Sequence, residues 1–104
     1  MTDRSVFFVS DGTGITAETF GNSILNQFPV KPRHVRRPFV DSLDKADELV
    51  REINDTAAAE AKRPIVFITL VNDEIRAILT SPHCKGLVLD MFRTFVEPLE
   101  ARCV

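Results

Sequence analysis

The chain has 104 residues, a hydrophobic fraction of 44% and a formal net charge of −2. This length fits one domain with a modest core, and the hydrophobic fraction is too high for a disordered segment. The slightly acidic balance argues against a nucleic-acid-binding or membrane-binding surface. Cys84 and Cys103 are isolated thiols, so no metal site is assigned. The sequence contains neither a recognisable signal peptide nor an apolar run of membrane-spanning length, which favours a cytoplasmic protein.

The first predicted elements are a strand, a glycine-containing loop and a helix. Residues 6–9 are a continuous apolar run, typical of a buried strand, and they lead into the sequence Ser-Asp-Gly-Thr-Gly at residues 10–14. A helix packed on the sheet should follow and should end at Pro29. Its predicted buried face comprises Ala17, Phe20, Ile24 and Phe28, with Gly21 beside them.

The second strand is predicted over residues 33–40. It is polar for a strand and contains Pro38, and both features indicate an edge position. The basic residues of this strand are Arg33, Arg36 and Arg37. They could recognise a phosphate or an acidic partner, but we favour a solvated edge that discourages aggregation. Asp41 and Ser42 then offer N-caps for a helix that should extend to about Lys62.

The second half of the chain repeats the strand–helix pattern twice. Residues 65–70 predict a central strand, followed by a short helix that begins at Asn72. Residues 86–89 predict a fourth strand, and a last helix begins at Asp90. The apolar residues of that helix, which we expect to contact the sheet, are Met91, Phe92, Phe95, Val96 and Leu99.

Four strand–helix units predict an α/β fold: a four-stranded, mostly parallel open sheet flanked by helices. Parallel strands are joined by right-handed crossovers, and the polar second strand belongs at an edge. The predicted strand order is therefore 2-1-3-4, within a single domain of residues 1–104. Ligands of such sheets bind beyond the carboxyl ends of the strands where the winding direction switches, which here is between strands one and three.

The loop of residues 10–14 follows strand one at this switch point. Gly12 and Gly14 permit backbone conformations that other residues avoid, so the N–H groups of the loop and the following helix can face an anion. Thr13 and Thr16 add hydroxyl donors, and a phosphate group would fit. The alternative is a glycine turn needed only for close strand–helix packing, and the pattern leaves both interpretations equally open.

A carboxylate in a phosphate-binding loop needs a reason, because it repels phosphate. Asp11 could hold a magnesium ion, accept a proton from a hydroxyl, or bind a cation beside the phosphate. Our hypothesis makes Asp11, with Ser10 beside it, the catalytic part of the loop. The alternative is that Asp11 only caps the helix or fixes the turn.

Residues 7–19, FFVSDGTGITAET, resemble the regulatory proteins of pyruvate, phosphate dikinase and of phosphoenolpyruvate synthase. Residues 64–67, 69–71, 87–90 and 98–100 extend the resemblance over nearly the whole chain. It implies a kinase that uses ADP to phosphorylate a threonine of its target. It also implies removal of that phosphate with inorganic phosphate, releasing pyrophosphate. The implied partners are one of those two target enzymes and a second copy of the chain, and no cofactor is expected.

The resemblance also implies a longer protein, because the family's glycine-rich nucleotide loop ending in Lys-Thr has no counterpart here. We therefore expect this chain to be an N-terminal domain that lacks kinase activity by itself. If the last helix is cut at Val104, an exposed apolar patch or self-association should result. The alternative function is a non-catalytic module that dimerises or docks the target.

Overall fold

Strands and helices alternate along the chain as predicted. The computed structural model describes residues 4–29, 32–96 and 98–99. Its elements are β1 (Ser5–Ser10), α1 (Ile15–Leu25), β2 (Arg33–Arg37), α2 (Leu43–Glu60), β3 (Ile65–Thr69), α3 (Asp73–Leu79), β4 (Leu87–Asp90) and a π-helical segment (Phe92–Val96). Cys103 and the part of the predicted last helix after Leu99 lie outside the described residues.

The four strands form one sheet in the order β2-β1-β3-β4, and every pairing is parallel. Both the α/β class and the predicted order are thus confirmed. Every residue of β1 is buried, whereas the polar strand β2 lies at one edge and β4 at the other. The continuous apolar run of residues 6–9 therefore forms a strand that is paired on both sides.

Helices cover both faces of the sheet. One core cluster joins alternate residues of β1 and β3, such as Phe7 and Val66, to α2 and α3. The other joins Phe8 and Phe67 to α1 and to Met91. In the part of the chain that the structure describes, no helix is long and apolar enough to span a membrane.

The buried face of α1 agrees with the prediction at Ala17 and Ile24 and differs from it at Phe20 and Phe28. Ala17, Gly21 and Leu25 face the sheet, whereas Phe20 and Phe28 are exposed, Phe28 by 58%. A Cβ on Gly21 would lie 2.5 Å from Cε1 of Phe8, so the helix approaches the sheet through its smallest residues. The large side chains are turned to the adjacent face, and α1 ends at Leu25 rather than near Pro29.

The connection between β2 and α2 also departs from the prediction. β2 ends at Arg37, because Pro38 has no N–H to donate and Phe39 adopts a left-handed backbone with φ 58°. Ser42 is the N-cap of α2, and its side chain accepts from the N–H of Lys45 at 3.2 Å. Asp41 instead pairs with the Lys45 ammonium group at 2.8 Å, which lowers the pKa of Asp41.

The segment after β4 contributes less to the core than predicted. Met91 is buried, but Phe95 and Leu99 are exposed, Leu99 by 60%. The ring of Phe95 stacks on that of Phe20 with centroids 5.1 Å apart. The segment therefore packs partly on α1 through Phe20, and its residues 92–96 form π-helical turns.

Glu60, the last residue of α2, closes a polar network at the amino end of the sheet. Its carboxylate accepts from the N–H of buried Ser5 at 2.9 Å and from the Ser5 hydroxyl at 2.6 Å. Arg33 Nε donates to the same hydroxyl at 3.1 Å. Both donors of Ser5 are therefore satisfied although they are shielded from water.

Glu60→Ala should lower the free energy of unfolding by about 1–3 kcal/mol, because it leaves buried donors of Ser5 without their acceptor. Urea denaturation measures the change. Glu48→Ala, which removes an exposed carboxylate from the same helix, is the matched control and should have a much smaller effect. Equal effects of the two substitutions would show that the network does not stabilise the fold.

Candidate functional site

The 10–14 loop lies at the carboxyl edge of the sheet, between β1 and α1. β1 is flanked by β2 and β3, so the chain leaves the end of β1 toward one side and the end of β3 toward the other. The loop therefore stands at the predicted switch point, where open parallel sheets bind ligands.

Side-chain hydroxyls shape the loop from within. The buried Ser10 Oγ accepts from the N–H of Gly12 at 3.0 Å, and Thr13 Oγ1 accepts from the N–H of Ile15 at 3.4 Å. Gly14 then occupies the N-cap position of α1 with φ 83°, a conformation that glycine adopts without strain. Gly14 has no side chain with which to cap α1, whereas the N-cap residues Ser42 and Asn72 cap the next two helices.

A second layer, residues 36–40, supports the loop from the β2 side. Three loop carbonyls accept hydrogen bonds from this 36–40 segment. The pairs are Val40 N to Ser10 O at 2.8 Å, Phe39 N to Gly12 O at 2.8 Å, and Arg36 to Thr13 O at 2.8 Å from Nη2 and 3.2 Å from Nε. Pairing of β2 with β1 brings the two segments together. Arg36 is exposed on the edge strand as predicted, and it also donates to the loop.

Asp11 links the loop to the chain that follows β3. Its Oδ2 accepts from the N–H of Val71 at 3.1 Å, and its side chain is partly exposed. The carboxylate thus lies between the ends of β1 and β3, accessible to solvent as predicted. Thr13 and Thr16 are also exposed beside it. Whether any of these residues takes part in catalysis or phosphate binding stays a prediction.

Other polar residues at the strand ends serve the fold. Asn72 caps α3 by accepting from the N–H groups of Glu74 and Ile75, as predicted. Arg76 is buried and pairs with Asp73 and, at 3.6 Å, with Asp90. Among the described residues, no group of three His, Cys, Asp or Glu side chains could hold a metal ion.

The two histidines are not part of the loop. His34 lies opposite Val6, toward the amino end of β2, and its ring meets Phe8 edge-on with centroids 5.3 Å apart. His83 is exposed in the turn after α3, where its carbonyl accepts from Asn54 at 2.9 Å. Neither imidazole is therefore available to the loop as a proton carrier.

Comparison with known proteins gives consistent matches over nearly the whole chain. The family model described as Kinase/pyrophosphorylase matches residues 6–103. A protein of Methylibium petroleiphilum is 73% identical over 97% of this chain, and one of Leptothrix cholodnii is 71% identical over the same share. Both are named "Putative phosphoenolpyruvate synthase regulatory protein". The chain spans 36% and 37% of the lengths of these two relatives.

Proposed function

The chain belongs to the kinase/pyrophosphorylase family. We propose that it is the N-terminal domain of a bifunctional regulatory enzyme. In one direction, a threonine oxygen of the target bonds to the terminal phosphorus of ADP, and the nucleoside monophosphate leaves. In the other, inorganic phosphate attacks the phosphothreonine phosphorus, which releases the threonine hydroxyl and pyrophosphate. ADP and inorganic phosphate are thus substrates, and the proposed setting is the cytoplasm.

The proposed target is phosphoenolpyruvate synthase, which the names of the relatives favour over pyruvate, phosphate dikinase. We place the 10–14 loop at the phosphate group that is transferred or already on the target. The observation that carries this is the glycine loop at the switch point, leading into a helix whose N-cap residue is Gly14. N–H groups of such a loop and helix terminus favour an anion.

Within the loop, Asp11 is the proposed acceptor of the threonine hydroxyl proton as the oxygen attacks phosphorus. Its position between two strand ends and its partial exposure support this role. Ser10 has a different environment, since its hydroxyl is buried and bonded to the Gly12 N–H. We therefore propose that Ser10 supports catalysis by holding the loop.

The test uses a protein of the relatives' full length that carries this segment, purified phosphoenolpyruvate synthase, and ADP. We expect phosphothreonine to form on the synthase. Subsequent addition of inorganic phosphate should remove it and release one pyrophosphate for each phosphate removed. Failure to modify the synthase in either direction would contradict the proposal.

The 104-residue chain alone should not phosphorylate the target with ADP, because its sequence has no glycine-rich loop with a lysine to neutralise the nucleotide phosphates. Incorporation of labelled phosphate into the synthase measures this, with the full-length protein as the positive control. A rate close to that of the full-length protein would disprove the expectation.

A docking or dimerisation module is the second candidate function, and one surface favours it. Leu87 and Leu89 of β4 share a face with Ile65 and Phe67 of β3, yet they are 39% and 41% exposed. Exposed Phe95 lies on the segment that follows β4. Sedimentation of wild type and Leu89→Lys tests dimerisation through this face, because a dimer formed there should become monomeric with the lysine.

A further inference from the structure

The backbone of the 10–14 loop is oriented by groups outside the loop. The carbonyl of Gly12 accepts from the Phe39 N–H, and the carbonyl of Thr13 accepts from the Arg36 guanidinium. The described residues contain no cis peptide bond. In a trans peptide unit, the carbonyl and the N–H of the next residue point in opposite directions. The N–H groups of Thr13 and Gly14 therefore both point away from the 36–40 segment.

Arg36 is suited to this task because of its shape and its charge. Nε and Nη2 of one planar guanidinium group reach the same carbonyl oxygen, which fixes the oxygen more firmly than one rotatable donor would. Arg33 and Arg37 pair with the carboxylates of Glu60 and Glu52, but Arg36 donates to a neutral carbonyl. Its positive charge therefore contributes directly to the potential at the loop.

The neighbouring backbone is held in an unfavourable conformation to make the second contact. Phe39 has a φ of 58°, which is rare for a bulky residue, and its N–H lies 2.8 Å from the Gly12 carbonyl oxygen. The Lys45 ammonium group donates to the Phe39 carbonyl at 3.2 Å. Contacts on both sides of Phe39 thus maintain the conformation that orients the loop.

We propose that Arg36 is a positioning residue of the 10–14 loop: it directs the N–H groups of Thr13 and Gly14 toward a bound phosphate group. This inference rests on the proposed phosphate-binding role of the loop. It adds a residue from the edge strand whose guanidinium group donates to the Thr13 carbonyl and acts through the loop backbone.

The experiment titrates inorganic phosphate into the chain and follows the amide resonances of Thr13 and Gly14. Arg36→Gln should weaken phosphate binding by about tenfold or more, because a charged hydrogen-bond donor is lost. Arg36→Lys keeps the charge but not the fork, and it should still bind at least about threefold more weakly than wild type. Arg51→Gln makes the same charge change at an exposed position on α2 and should remain within about twofold of wild type.

The outcomes separate this inference from the proposed function. Wild-type binding at Thr13 and Gly14 with unchanged affinity in Arg36→Gln would overturn the positioning role and leave the loop as the phosphate site. Full affinity in Arg36→Lys would also overturn it, since charge alone would then suffice. If wild type shows no phosphate-dependent shift at either amide, the proposed role of the loop fails. Should the glutamine variant not fold, the milder lysine variant decides the matter.

Discussion

Asp11→Asn should reduce phosphoryl transfer in both directions by about a hundredfold or more, when placed in a protein of the relatives' full length that carries this segment. An asparagine side chain cannot take the proton of the threonine hydroxyl. Its amide oxygen can still accept from the Val71 N–H, as Asp11 Oδ2 does at 3.1 Å. The melting temperature should therefore stay close to that of wild type while both rates fall.

Asp47→Asn is the matched control for this prediction. Asp47 is an exposed carboxylate on α2, and we assign it no part in the loop. The control should retain near-normal rates. Asp11→Ala adds a second comparison, because it removes the acceptor for Val71 as well and should lower the melting temperature further. Normal rates with Asp11→Asn would leave Asp11 as a structural link between two strand ends.

Gly21→Val should lower the free energy of unfolding by about 3 kcal/mol or more. A Cβ at this position would lie 2.5 Å from Phe8 Cε1 and 3.0 Å from Phe67 Cδ2. These two rings stack in the core with centroids 5.8 Å apart, so they have little room to move. Chemical denaturation measures the loss.

Ser23→Val is the control, since it introduces the same β-branched side chain at an exposed position of α1. Its cost should be limited to helix propensity, a few tenths of a kcal/mol. Gly21→Ala should fall between the two, because alanine favours the helix by about 1 kcal/mol over glycine but still meets the Phe8 ring. Similar stabilities of the two valine variants would contradict the close packing of α1 on the sheet.

The strand order could be predicted because hydrophobic pattern and position in the sheet are physically linked. A strand paired on both sides and covered on both faces must be apolar throughout, as residues 6–9 are. The polar strand Arg33–Arg37 can only lie at an edge. The face of α1 was not predictable in the same way. Helical spacing alone favoured Phe20 and Phe28, whereas close packing selected Gly21.

The position of the candidate loop could be predicted from the glycine spacing after an apolar strand. The residues that hold the loop from outside could not be predicted in this way. Arg36 and Phe39 contact the loop only because parallel pairing places the end of β2 beside the end of β1. Their sequence neighbourhood indicates a polar edge strand, with phosphate recognition by Arg36 as the alternative, and gives no sign of a contact with the loop backbone. The left-handed backbone of Phe39 has no sequence signal, since phenylalanine rarely adopts it. These contacts depend on the register between β1 and β2, which the sequence pattern does not specify.

The central place of β1 has a consequence for how the chain is made. β1 is synthesised before β3, yet Val6 pairs with Ile65 and Phe8 with Phe67. One side of β1 therefore stays unpaired until residues about 60 positions later have been made. At about 5–20 residues per second, the ribosome takes roughly 3–12 s to add the intervening segment. During that time the nascent chain exposes an apolar strand with an unpaired edge. Chaperone capture during translation is therefore expected to matter more for this protein than for one whose first strand pairs within a hairpin.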